Sequence, residues 1–167
     1  MKINCYFIFL ISFFVCIGNG ISKENKIDNI LVEKGDRMMY LRHGETVIRS
    51  YKISLGGQPI GAKVKEGDQK TPEGKYMITE HNPRSSYHLS LRISYPNQEQ
   101  RTIAKKMGYS PGGDIMIHGY PNWAIDQVFD YIHHNNDWTD GCIAVTNPEI
   151  EEIYRLVQNN TPIEIRP

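Results

Sequence analysis

Asp137-Trp138-Thr139-Asp140-Gly141-Cys142-Ile143-Ala144-Val145 is the stretch on which the reading of this chain turns. It passes from polar, turn-forming residues into a short apolar run, with a glycine directly before a cysteine. A glycine there lets a substrate approach the backbone closely. The pattern predicts a tight turn that delivers Cys142 at the start of a short strand over 142–146. The Gly141 and Cys142 amides would then be free to face a developing oxyanion. Thr139 and Asp140 are the hydrogen-bonding members of the turn. A core cysteine needs none of this setting, although most free cysteines are small buried hydrophobes.

The cysteine inventory sharpens the point. The chain has three, Cys5, Cys16 and Cys142. The first two lie in residues 1–20, MKINCYFIFLISFFVCIGNG, where Lys2 precedes a mostly apolar stretch that ends in Gly18-Asn19-Gly20. That is the layout of a signal peptide, and the apolar run is short of the roughly 20 residues a membrane-spanning helix needs. Residues 1–20 are therefore expected to be a leader and 21–167 the exported domain, placed in the periplasm or cell envelope. Val15 before Cys16 argues against a lipoprotein signal. The exported part keeps one thiol without an intramolecular partner in an oxidising compartment. Such a thiol is a liability unless it does chemistry or pairs with another chain.

Bulk properties exclude other classes. At 167 residues the chain holds one domain able to bury its own core. A formal charge of +0 provides no basic field for nucleic acid. With 40% hydrophobic and 23% charged residues it is an ordinary globular protein rather than a disordered one.

Working outward from the cysteine, the pattern is mainly β. Apolar runs at 30–32, 38–41 and 47–55, separated by Gly35-Asp36 and His43-Gly44-Glu45, predict a meander of two hairpins. Residues 56–74, rich in glycine, proline and charge, predict a long loop of the kind that is usually functional or mobile. Strands follow at 75–79 and 88–94, and a short strand over 114–118 ends on His118. Three short helices are expected. The first covers Gln98–Met107, capped by Asn97 with Gln100 reciprocating and ended by Gly108. The second covers 123–133, with apolar residues on one face. The third covers 148–157, started by Thr146-Asn147-Pro148-Glu149. A last strand closes the chain at 162–166.

A thiol nucleophile needs a base or an electropositive site, because its ordinary pKa is about 8.5. Among the histidines, His118 is the best placed, at a strand end and followed by Gly119. His133 and His134 end a helix, where histidine complements the dipole. His81 and His88 border a loop and could line a substrate groove. Arg84 and Arg92 precede the catalytic strand and could meet a carboxylate, although solvation is the plainer role for each. Trp123 and Trp138 flank the second helix, for packing or as a lid.

These residues resemble the catalytic domain of the L,D-transpeptidases, the YkuD-type family. The resemblance rests on three segments in order: Gly67-Asp68-Gln69-Lys70-Thr71-Pro72-Glu73-Gly74 before a strand, Gly112-Gly113-Asp114-Ile115-Met116-Ile117 leading into His118-Gly119, and Thr139-Asp140-Gly141-Cys142. It spans roughly residues 28–167. Two positions depart from the commoner pattern: Asp140 stands where histidine often precedes the glycine, and Ala144 where arginine or asparagine often follows the cysteine. The chain is similar to a subgroup with a Trp-Thr-x-Gly-Cys motif.

The resemblance implies a β-sandwich of mixed sheets with about three short helices. It implies Cys142 as nucleophile and His118 as base, supported by Gly141, Gly119, Thr139 and Asp140, with no metal or cofactor. A backbone carbonyl near Gly119 would orient the imidazole, with Asp140 or Asp114 as an acidic alternative. The implied partners are peptidoglycan stem peptides, with a stem amine, a protein lysine or water as acyl acceptor, and a monomer is expected. Water as acceptor would make the enzyme an L,D-carboxypeptidase. A zinc hydrolase using His118 with His133, His134 or Asp126 is disfavoured by the spacing. A papain-like amidase is disfavoured by chain order. A non-catalytic wall-binding module has only Asp140 and Ala144 in its favour.

Overall fold

The computed structural model describes residues 26–167, so the expected leader over residues 1–20 lies outside the described residues. In chain order the elements are β1 (Asn29–Glu33), β2 (Met38–His43), β3 (Thr46–Lys52), β4 (Gly74–Ser85), β5 (His88–Ile93), α1 (Gln98–Met107), β6 (Met116–His118), α2 (Asp126–Asn135), β7 (Ile143–Ala144), α3 (Asn147–Leu156) and β8 (Pro162–Arg166). The first three strands form the expected antiparallel meander. Alternation drives it: Ile30, Val32, Met39 and Leu41 point inward and are essentially fully buried, while their neighbours face out.

The strand order is β3-β2-β1-β8-β4-β5-β6-β7. Most pairs are antiparallel, but β8 runs parallel to β1 and β7 parallel to β6. The long strand β4 serves two halves of the fold. Gly74 to Met77 pair with β8, and from Ile78, across a register shift at Ile78/Glu80, the strand pairs with β5. The opposite edges also meet: just past β3, Ser54 and Ala144 exchange backbone hydrogen bonds of 3.0 and 2.9 Å. Two sheet halves joined at both margins enclose one core, in which Ile78, Leu91, Ile117, Ile143, Ile163 and Ile165 are buried. This is the mainly β, mixed-sheet architecture with three short helices that the sequence predicts.

Helices α1 and α3 begin and end where their caps dictate. Asn97 and Gln100 form a reciprocal capping box, and Gly108 closes α1 in the left-handed conformation. Thr146 and Glu149 do the same for α3, whose Ile150 and Ile153 are buried. Helix α2 begins at Asp126, later than the pattern predicts. Asn122 to Ala124 form a turn, with the Ala124 amide bonded to the Pro121 carbonyl at 2.8 Å, and no side chain caps the helix at Ile125.

Two further differences shape the site. Strand β4 continues through Glu80-His81-Asn82-Pro83-Arg84-Ser85, where alternation predicts none. Its backbone pairs with β5, and the proline sits at an irregularity between Asn82 and Ser85 that needs no ladder donor. Strand β7 is only two residues long, and Cys142 precedes it in the turn.

Candidate active site

Strands β6 and β7 carry His118 and Cys142 to one place. In their parallel register Ile117 faces Ile143 and His118 faces Ala144. His118 therefore ends one strand while Cys142 enters the next. Both line a cavity of about 670 Å³, with walls that include Arg84, Tyr87, Trp138 and Asp140. That volume suits a small or peptidic ligand.

The turn before β7 is over-determined. The Thr139 hydroxyl donates to the Cys142 carbonyl at 2.8 Å and accepts the Gly141 amide at 3.1 Å. Gly141 adopts a φ of +126°, and a Cβ there would lie 2.5 Å from the Lys70 carbonyl oxygen. Only glycine fits both constraints. The expectation that the Gly141 amide faces an oxyanion is corrected here: Thr139 occupies it, and Gly141 supports the turn instead. The Cys142 amide is left as the turn's candidate oxyanion donor. At the head of the turn, Asp137 accepts the Leu55 amide at 2.9 Å and binds the Arg37 guanidinium through two nitrogens, the shorter contact being 2.7 Å. This clamp ties the cysteine turn to the meander.

The loop over 56–74 borders the turn rather than the cavity. Gly56 lies so close beneath it that a Cβ would be 2.2 Å from the Gln69 carbonyl oxygen and 3.0 Å from the Gly141 Cα. Buried Lys34 fastens the loop, donating to the Gly61 and Thr71 carbonyls and to Glu73 at 2.8, 3.1 and 2.7 Å. Burial would raise the Asp68 carboxyl, but Lys63 and the amides of Lys65, Val64 and Lys70 overcome it and hold the group at about 2.

His118 is 4% exposed, and its Nδ1 lies 2.7 Å from the Gly119 carbonyl. A carbonyl only accepts, so Nδ1 carries the proton and Nε2 keeps the lone pair. The orienting group is thus a carbonyl at Gly119, and neither Asp114 nor Asp140 takes that part. Gly119 has no room for a side chain: a Cβ would lie 2.5 Å from Asn147 Oδ1, which already accepts the Tyr120 amide at 2.8 Å. Tyr87 and Trp138 pack on the imidazole at ring-centre distances of 4.5 and 5.7 Å. Burial lowers the His118 pKa to about 4, against a smaller upward pull from the Gly119 carbonyl.

Burial also pushes the Cys142 thiol above its ordinary value; the Met116 amide and Lys63 oppose this, and Asp140 and Asp114 add to it. The sulfur lies 3.5 Å from the Asp114 carbonyl, which accepts the thiol proton. The resting pair is therefore a neutral thiol and a neutral imidazole. Nε2 of His118 is the unprotonated ring nitrogen of this pair.

Other candidates fall elsewhere. His81 bonds to Asn159 and the Val157 carbonyl, His88 pairs with Glu151, and neither lines the cavity. Arg92 is held by Glu80 and Asp114, whereas Arg84 does line the cavity. His133 is buried against Ser54 and His134 meets the Asp130 carbonyl. Among the described residues no group of three metal-ligating side chains converges. Trp123 lies on the cavity wall yet is 78% exposed, and Trp138 forms part of the wall itself. The Arg37–Asp137 clamp carried no local signal in the sequence, and Asn147 carried only that of a helix start.

Residues 28–165 match the L,D-transpeptidase catalytic domain family, YkuD. The chain is similar to YafK of Escherichia coli (strain K12), which is assigned by name to the L,D-transpeptidases. The two are 33% identical over 123 residues, covering 71% of this chain and 42% of YafK. The chain thus spans less than half the length of the curated relatives it matches. Among solved structures it is similar to the helical cell shape determining protein Pgp2 from Campylobacter jejuni, with 26% identity and a TM-score of 0.59 over 87% of this chain and 51% of Pgp2. Bd1075 of Bdellovibrio bacteriovorus shows 25% identity and a TM-score of 0.56 over 87% of this chain and 50% of Bd1075. An L,D-transpeptidase from Mycobacterium smegmatis shares the fold at 13% identity and a TM-score of 0.54, over 83% of this chain and 58% of that one. With the family match spanning nearly all the described residues, the chain belongs to the L,D-transpeptidase catalytic domain family.

Proposed function

We propose that this protein is an exported peptidoglycan L,D-transpeptidase that works through a Cys142 acyl-enzyme. The observation that carries the reading is the meeting of His118 and Cys142 in one peptide-sized cavity, with the imidazole fixed in the tautomer that leaves Nε2 basic. The likeness to a cell-shape determinant supports a cell-wall substrate.

The reaction is acyl transfer. Cys142 Sγ attacks the carbonyl joining the diamino acid of a stem peptide to its terminal D-alanine, while His118 Nε2 takes the thiol proton. The Cys142 amide steadies the oxyanion. As the C–N bond breaks, His118 returns the proton to the leaving amine. D-Alanine departs, and a thioester remains on Cys142. An amine from a second stem then attacks the thioester, loses a proton to His118 and releases the sulfur. A neutral resting pair is compatible with this sequence, because the proton moves with the attack. Asp140 and Thr139 shape the approach to the sulfur, and Gly119 and Gly141 hold base and nucleophile in place.

Incubation with purified disaccharide-tetrapeptide, followed by mass spectrometry of the products, tests the reading. Cross-linked dimers lacking one D-alanine are expected with the native protein and not with Cys142→Ala. Tripeptide alone would make water the acceptor and the enzyme a carboxypeptidase. No product from either protein would reject both reactions on this stem.

A further inference from the structure

Among the described residues, the cavity wall carries one cation without a carboxylate. Five arginines, Arg37, Arg42, Arg49, Arg92 and Arg166, are paired with acids. Arg84 is exposed, lines the cavity with Cys142 and His118, and forms no ion pair among the described residues. Apart from His118, which burial keeps neutral, it is the only basic side chain in that wall among the described residues.

The backbone beneath Arg84 is fixed. The register of β4 on β5 shifts between Asn82 and Ser85, the kind of irregularity that re-aims a side chain at the rim of a site. Asn82 accepts the Arg84 amide at 2.9 Å. Asn122 then clamps the hairpin end from the other side: its side chain donates to the Ser85 carbonyl at 3.0 Å and accepts the His88 amide at 2.8 Å. Its own amide bonds to the Ser86 carbonyl at 3.0 Å. A guanidinium on so firm a base recognises a planar anion through paired N–H groups. The two acids of the wall differ from it in position and state: Asp140 adjoins the nucleophile, and Asp114 is already held by Arg92.

We infer that Arg84 is a carboxylate-reading subsite that selects stem peptides ending in a free carboxylate. The inference rests on the transpeptidase reading, since the carboxylate of a terminal D-alanine lies a single residue, about 3.8 Å of chain, beyond the carbonyl under attack. A group that reads it must share the cavity of the nucleophile, as Arg84 does. The second carboxylate of a diamino acid has the same chemistry and is the other source to be distinguished.

Binding to the Cys142→Ala protein, measured by calorimetry, separates recognition from turnover. The probes are the tetrapeptide stem with all carboxylates free, the same stem amidated at D-alanine, and the stem amidated at the diamino acid. Loss of a charged hydrogen bond predicts roughly ten- to hundred-fold weaker binding of the D-alanine amide. Arg84→Ala in the same background should bind both forms equally, and Arg84→Lys should keep part of the preference. Added salt should shrink the preference, because the cation is exposed. Sensitivity only to the diamino-acid amide would overturn the terminal assignment. A preference that survives Arg84→Ala, or equal binding of all three stems, would overturn the subsite itself. If the preference holds but the native protein makes no product, the subsite stands and the transferase reading falls. If no stem binds, both fall. Thermal melting of Arg84→Ala, expected to match the parent, guards against misfolding.

Discussion

Thr139→Val is the substitution that asks most of the catalytic turn. Valine keeps the shape of threonine and removes only the hydroxyl, which is buried and engaged twice, donating to the Cys142 carbonyl and accepting the Gly141 amide. Each group left unmade inside the fold costs about 1–3 kcal/mol, so the pair costs about 2–6 kcal/mol. Against a typical total of about 5–15 kcal/mol this is a large fraction. In urea, where m is about 2 kcal/mol/M, the midpoint should fall by roughly 1–3 M. Thr139→Ser keeps the hydroxyl and gives up one methyl group, about 0.8 kcal/mol. Urea titration of both variants at pH 7 gives the stabilities, and the rate of alkylation by iodoacetamide reports on Cys142. The serine variant should alkylate at the native rate and the valine variant should not, because its turn is no longer pinned. A valine variant within about 0.5 kcal/mol of the parent, or a serine variant as unstable as the valine, would refute the argument.

Further consequences follow from neighbouring contacts. Gly119→Ala drives a Cβ into Asn147 and should cost about 2–4 kcal/mol from overpacking and the displaced Tyr120 amide bond, with a fall in activity larger than the fall in folded fraction. For His118, the folded pKa of about 4 lies below the unfolded value of 6.5, so the unfolded chain binds more protons between those limits. Stability from this group is complete above pH 6.5 and is lost as pH falls to about 4, on the order of 3 kcal/mol in all. His133 is shifted in the same direction by burial, so the slope lost in His118→Gln, read from urea midpoints across that window, isolates the share of His118. The acid limb of kcat/KM should lie near 4 rather than 6.5 for the same reason. Lys34→Met strands Glu73 and two loop carbonyls and should cost about 3 kcal/mol in thermal or urea unfolding, with partial recovery in the double variant with Glu73→Leu.

Local chemistry made much of this molecule legible in its sequence. The capping pairs Asn97/Gln100 and Thr146/Glu149 place α1 and α3 within a residue, because a cap is a contact between near neighbours in the chain. The meander follows from alternation and two glycine turns. The outer arm of β4 was not legible, since its residues are polar and include Pro83, and only pairing with β5 makes it a strand. In the site, Cys142, His118, Gly119 and Gly141 announce themselves by type and spacing. The task of the Gly141 amide did not, because it depends on where the Thr139 hydroxyl turns. Nor did the Asp137–Arg37 clamp, which joins residues far apart in the chain. Lys34 reads as a surface charge by type, yet the fold buries it to hold the loop beneath the Cys142 turn.

The central claim is that Cys142 carries the acyl group of a stem peptide, and intact-protein mass spectrometry tests it most directly. The protein, briefly mixed with disaccharide-tetrapeptide and quenched in acid, should gain the mass of the stem less D-alanine. Peptide mapping should place the added mass on Cys142, and hydroxylamine should remove it as it removes thioesters. Cys142→Ala should neither gain mass nor release D-alanine. Release of D-alanine by Cys142→Ala at the native rate, or an adduct on any other residue, would contradict the account.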